Sequence, residues 1–169
     1  QALTAAQFKG KKGETLTLLN PQKSPTHLII IGLGAAKSIS PLVVEETGAA
    51  IVAAALAAKV ASVEVLATTA KSVKFDATEL AAHLASGAKL RAYTFDKYRT
   101  KIKAEDKPKL KTITVVTNAA DKAKRLFAPL AAVAEAVAFT RDIVSEPANV
   151  IYPATLAAQA KTLEKLGVK

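Results

Sequence analysis

The chain has 169 residues, half of them apolar and many of those alanine, with 24 Lys and Arg against 14 Asp and Glu for a net charge of +10. That length and apolarity suit one domain with a real core, or one domain and the start of a second, and they exclude a disordered tail. The lack of cysteine excludes disulfides, thiolate metal sites and a cysteine nucleophile, and no apolar run reaches the roughly 20 residues of a membrane span.

Taken in chain order, ETLTLL at Glu14–Leu19 alternates and runs into the turn signal Asn20-Pro21, which predicts a strand. HLIIIGLG, His27–Gly34, is a β-branched run closed by glycines and reads as a strand buried on both faces. Ser40-Pro41 supplies an N-cap and a first-turn proline for a helix to about Ala61. SVEVLATT, Ser62–Thr69, is the next strand. Asp76 caps a helix from about Ala77 to Tyr93, with Leu80, Leu84, Ala88 and Tyr93 near one face. Gly87 inside it lets a neighbour approach closely. The polar window Lys97–Lys109 reads as a loop or exposed arm, and KTITVVTN, Lys111–Asn118, as the fourth strand.

DKAKRLF, Asp121–Phe127, starts another helix. Pro129 has no N–H and pushes Ala128 out of the α region, which predicts a break near Ala128 and a new helix over Pro129–Ser145. Leu130, Val133, Val137 and Val144 recur along it at helical spacing. Pro147 ends it, and Pro153 opens a last helix, Ala154–Leu166. The order β, β, α, β, α, β, α, α predicts an α/β domain with a largely parallel sheet covered by helices.

The charge is concentrated. Lys97, Arg99, Lys101, Lys103, Lys107, Lys109 and Lys111 face only Glu105 and Asp106, so this window carries five of the ten net charges. Such a run can neutralise phosphates of DNA, but no recognition-helix motif accompanies it, and a solvated loop is the plainer reading. His27 and His83 lie far apart without a second ligand at i+4, so they read as a strand residue and a helix-face residue. Glu45-Glu46 is an adjacent pair whose side chains diverge on a helix, which argues for surface carboxylates near a helix start. GLGAAK, Gly32–Lys37, lacks the full dinucleotide fingerprint and the phosphate-loop Lys-Ser/Thr pair, leaving a tight strand-to-helix turn. Glu146 and Asn149 read as structural residues of a turn, Asn149 tying its side chain to nearby backbone.

RDIVSEPANVIYP, Arg141–Pro153, resembles the Arg-Asp-Leu-Val-Asn-Glu-Pro-Ala-Asn-Val-x-x-Pro signature of the leucyl (cytosol) aminopeptidase family. FKGKKGETLTLL (Phe8–Leu19), IIIGLG (Ile29–Gly34), YTFDKYRTK (Tyr93–Lys101) and KTITVV (Lys111–Val116) are similar in type and order to that family's N-terminal domain. Ser145 and Tyr152 depart from the pattern, standing where Asn and a capping Thr are common, and Tyr152 as a poor N-cap predicts fraying of the last helix.

The resemblance implies a three-layer, macro-like α/β domain over residues 1–128, lacking its first strand, with Gln1–Gln7 as the tail of a helix. It implies a connecting helix and joint over 129–152, and the start of a catalytic domain over 153–169. In that family the whole enzyme releases N-terminal amino acids from peptides in the cytoplasm, uses two divalent metals (zinc or manganese), and assembles as a hexamer; some members bind DNA. The resemblance places metal ligands, catalytic residues and peptide substrate beyond this chain. Arg141, Asp142, Glu146, Pro147, Asn149 and Pro153 are then structural residues of the joint. No catalytic residue, cofactor site or metal site is expected within the 169 residues, nor any membrane contact.

Overall fold

A computed structural model describes residues 1–21, 24–69, 73–103 and 106–168. The Ser40 hydroxyl accepts from Val43 N at 3.4 Å and opens helix α2, Pro41–Ala57, with Pro41 in its first turn. Asp76 opens helix α3, Ala77–Ala92, through a reciprocal box: its carboxylate accepts from Thr78 N and Glu79 N, each at 2.8 Å, while Glu79 accepts from Asp76 N at 3.0 Å. Such boxes satisfy amides that have no partner inside the helix.

Both helices begin where the sequence predicts, and they cross backbone to backbone. A Cβ on Gly48 would stand 2.1 Å from the Leu84 carbonyl oxygen, and one on Gly87 would stand 1.8 Å from that of Glu45. The missing side chains permit this approach. Beneath the crossing, Val44, Leu80, Ala81 and Leu84 form the core with Ala67 and Ala123. Alanine supplies much of it, as the composition foreshadows.

The strands form two two-stranded sheets among the described residues, a mixed α/β arrangement flanked by helices. Strand β1, Thr15–Leu19, pairs antiparallel with β2, His27–Ile31, Thr17 facing Ile29. Strand β3, Ser62–Leu66, pairs parallel with β4, Thr112–Val116, Glu64 facing Thr114. Val65 and Val115 pack on the core while Leu66 and Val116 are exposed, the period-2 alternation of strands with one covered face. The strand expected to be buried on both faces, at His27–Gly34, differs: β2 is half-buried and Leu28 is exposed. Its ladder has a partner on one edge only. The single sheet expected from the element order is thus resolved as one antiparallel and one parallel ladder.

The break expected near Ala128 does not occur. Helix α4 runs unbroken over Ala120–Ser145 with Pro129 inside it. Pro129 is exposed, so water can take the Arg125 carbonyl that proline leaves unbonded. The helix is held to the rest of the fold on either side: before the proline, Ala123 sits in the core and Lys122 Nζ lies 2.6 Å from Asp76, and after it Lys89 meets Glu135 and Tyr93 meets Asp142. Tertiary packing of this kind can override a local preference. Val133, Val137 and Val144 line the exposed face of α4. The chain ends in helix α5, Pro153–Lys161, followed by a 3-10 turn over Thr162–Leu166. Its start is not left open by Tyr152: Thr155 Oγ1 accepts from Tyr152 N at 2.9 Å and donates to Val150 O at 2.8 Å. No described helix is long and apolar enough to cross a membrane. At the other end, Gln1–Gln7 holds the short helix α1, Ala2–Ala5.

Candidate functional site

The joint that follows α4 is a carboxylate held by two side chains from a distant segment. Glu146 leaves the helix in an extended conformation, φ −71° and ψ 144°. Its side chain is 11% exposed; Lys97 Nζ donates to Oε1 at 2.7 Å and the Tyr98 hydroxyl donates to Oε2. Lys97 also lies 5.5 Å from the Tyr98 ring centre, and Phe95 packs on the same ring at 5.9 Å. The hydrogen bond from Lys97, then that from Tyr98, holds the Glu146 carboxyl below its ordinary value. The same carboxylate raises Lys97 and Tyr98. With Lys97 59% exposed, water screens the pair, so its energetic value is modest and its main effect is geometric.

Two further contacts run back along α4. The Tyr93 hydroxyl donates to Asp142 Oδ1 at 2.7 Å while the Arg141 guanidinium stacks 4.1 Å over the Tyr93 ring. Lys89 Nζ meets Glu135 at 2.6 Å. Burial and then Asp142 raise the Tyr93 hydroxyl. Arg141, Asp142 and Glu146 of the signature are therefore brought together with the end of α3 and the residues after it. Pro147 closes the turn with its carbonyl, which accepts from Val150 N at 2.8 Å and Ile151 N at 3.0 Å. Asn149 does not tie the turn as expected; it is exposed, and among the described residues its side chain makes no hydrogen bond. A carbonyl already bonded to two amides leaves that task done. Pro153 holds the first position of α5.

The basic window divides. Lys97 belongs to the joint. Arg99, Lys101, Lys107, Lys109 and Lys111 are exposed, in no helix and in no strand; Lys103 is exposed and has an interaction of its own. Glu105 lies outside the described residues, and Asp106 is exposed. Tyr93 and Tyr98 are the residues that charge-based reading passes over. Their signal was an aromatic pair at the end of a helix, inside an otherwise basic run.

The other candidates find ordinary partners. His83 meets Glu45 at 2.9 Å and stands edge-on to Phe75, while His27 meets the Thr26 hydroxyl. Glu46 turns to Lys12 at 2.6 Å, so the adjacent acids diverge as expected. In the glycine turn, Gly32 N donates to Glu14 O and Gly34 N to Gly10 O, and a Cβ on Gly32 would lie 2.2 Å from the Lys11 carbonyl oxygen. Those two amides are committed to the facing turn rather than to a phosphate. That turn is itself organised by Glu14, whose carboxylate accepts from Lys11 N at 2.9 Å and from Lys9 N, bonds that hold it below its ordinary value. Among the described residues no three of His, Asp and Glu gather as metal ligands.

Residues 1–102 match the family model described as the N-terminal domain of the cytosol aminopeptidase family. The chain belongs to this family. A "Probable cytosol aminopeptidase" of Caulobacter vibrioides is 37% identical over all of the chain and 33% of its own length. One of Rhodopseudomonas palustris is 38% identical over all of the chain and 34% of its own. The chain thus spans about a third of these cytosol aminopeptidases. Among solved structures, the bottromycin maturation enzyme BotP superposes with a TM-score of 0.79 at 24% identity, over 99% of this chain and 34% of that one. A BotP complex with Mn gives 0.76 at 25% identity, over 97% and 33%. A tomato leucine aminopeptidase mutant gives 0.76 at 24% identity, over 98% and 32%. These superpositions show a shared fold over about a third of each of those chains.

Proposed function

We infer that this chain is the N-terminal, non-catalytic part of a leucyl-aminopeptidase-type enzyme, a two-metal exopeptidase that releases N-terminal amino acids from peptides. The observation that carries the reading is coverage: the whole chain, signature joint included, matches only a third of each relative. Residues 1–128 form the macro-like domain, 129–152 the connector and joint, and 153–169 the start of the catalytic domain. Helix α4 runs across that first boundary without a break, so the domain and its connector share one helix. The cytosol aminopeptidase names of the relatives support a cytoplasmic setting. The work of this segment is to position the catalytic domain and to take part in a hexamer.

The metals, zinc or manganese, belong to the region beyond. A pair of ions about 3.5–4 Å apart needs several converging carboxylates, and the described residues supply no such group. Nothing here fits them, and no chemical step is assigned to this chain. The experiment compares this chain with one continued through the catalytic region: the continued protein should show metal-dependent release of leucine from a leucyl amide. A folded, metal-loaded continuation without that activity would overturn the reading.

The expectation of a further strand draws on the topology. Strands β2 and β3 are linked through a helix, α2, the kind of connection that joins parallel strands of one sheet, yet they do not bond to each other. One strand between them would unite the two ladders.

Assembly gives a second test. Val133, Val137 and Val144 on α4, with Tyr152 and Leu156 near α5, leave apolar surface uncovered. Alone, the chain should be a monomer or weak dimer by light scattering; a stable hexamer would put the subunit contacts in the wrong domain.

A second reading, a DNA-binding module, is favoured by one observation: Arg99, Lys101, Lys107, Lys109 and Lys111 are exposed and without an acidic partner among the described residues. Each phosphate neutralised should add roughly −0.9 to the log–log salt slope on duplex DNA. Reversal of Lys101, Lys103 and Lys109 to Glu should abolish binding. A shallow slope, or binding by the reversed variant, would eliminate the module.

A further inference from the structure

Glu146 is placed where the path of the chain is decided. It is the first residue beyond a 26-residue helix, its backbone is extended, and Pro147 next to it has no N–H to continue the helix. The side-chain hydrogen bonds that follow it, those of Thr155 and Thr162, are all local. Among the described residues, the Glu146 carboxylate therefore makes the last side-chain hydrogen bonds between the outgoing chain and the body of the fold. Both of its oxygens are taken, one by an ammonium and one by a phenol, so it cannot swing about a single bond. The two donors are consecutive, sit on a segment that leaves α3 directly, and are braced by Phe95.

We propose that Lys97 and Tyr98 are positioning residues: together they latch Glu146 and so fix the direction in which the chain leaves α4 for whatever follows Pro153. The proposal rests on reading the chain as the front part of a longer enzyme, because that direction sets where the next domain sits. It also divides the basic window by role. Lys97 holds the joint, and only the cations from Arg99 onward remain for a polyanion. A ligand that recruited Lys97 would release the joint.

The absence of cysteine makes the test clean. Ala53 on α2 and Ala158 on α5 are exposed; as cysteines they take nitroxide labels, and pulsed dipolar spectroscopy reads the distribution of distances between them. The parent should give one narrow peak. Glu146→Gln should at least double its width, as should Lys97→Met combined with Tyr98→Phe. The exchanged pair, Lys97→Glu with Glu146→Lys, should narrow it again, which a merely structural disturbance would not do. A control pair at Ala53 and Arg91, across α2 and α3, should stay narrow throughout. Unchanged width in both disrupting variants would overturn the latch, as would equal broadening of the control pair or no recovery in the exchanged pair. No catalytic readout enters, so the enzyme reading can fail while this measurement stands.

Discussion

Gly87→Ala should be among the most damaging single substitutions in this chain, although alanine is the better helix former. In an exposed helix the change would stabilise by about 0.8–1.0 kcal/mol. Here the new methyl carbon would lie 1.8 Å from the Glu45 carbonyl oxygen and 2.5 Å from its carbon. Those are backbone atoms of α2, so no side chain can swing aside. The two helices must separate, and the contacts of Val44, Leu80 and Leu84 separate with them. Overpacking costs typically about 1–3 kcal/mol, and the backbone clash puts this site at the upper end even after the propensity gain. At about 2–4 °C per kcal/mol for a chain of this size, the melting temperature should fall by roughly 6–12 °C. Circular dichroism melts would show it. Ala53→Gly, on the exposed face of α2, should lose only about 1 kcal/mol. A Gly87→Ala protein that melted higher than the parent would refute the backbone contact at the crossing.

Peptidase activity should be absent from this chain with zinc, manganese or cobalt supplied, and should appear when the chain is continued through the catalytic region. The first half follows from the donor inventory. His83 is committed to Glu45, His27 stands on β2 beside Thr26, and Asp76, Glu14 and Glu146 each spend their oxygens on backbone amides or on lysine and tyrosine. A metal-assisted hydrolase needs deprotonated ligands in fixed geometry and an open position for water. These carboxylates are spread over separate helix starts and turns. Leucyl amide hydrolysis above the metal-only background by the purified 169-residue chain would show that a site had been missed. In the continued enzyme, Glu146→Gln should disturb assembly or stability ahead of turnover. Loss of turnover alone, with hexamer and metals intact, would move Glu146 from the joint into the chemistry.

What the sequence made legible was local. Ser40 and Asp76 announce their helices because a cap acts within three residues of itself. Gly87 announced a close approach because a glycine inside a good helical pattern needs a packing reason. The tie at Glu146 was invisible, since its partners stand almost fifty positions upstream and a Lys-Tyr pair in a basic run looks like solvated charge. Pro129 misled for a related reason: the local rule is sound, but Asp76 and the core hold the turn before the proline while Lys89 and Tyr93 hold the turns after it. Strand order, too, is set between ladders rather than within them, so the element sequence predicted α/β correctly without revealing that β2 and β3 stay unbonded. Thr155 replaced the cap that Tyr152 could not give from a position three residues inside the helix.

The proline inside α4 has a mechanical consequence. A helix stripped of one internal bond is a beam with a notch, and bending concentrates in the turn between Arg125 and Pro129. Glu146 lies seventeen residues beyond that proline, about 25 Å along the axis at 1.5 Å per residue. A rotation of about 5° at the notch would therefore carry the end of the beam through about 2 Å, more than a hydrogen bond tolerates. The three fastenings beyond the notch, at Glu135, Asp142 and Glu146, are spaced along the arm where leverage grows. Small angular freedom at an exposed proline is thus converted into a displacement that only the outermost fastening is well placed to resist.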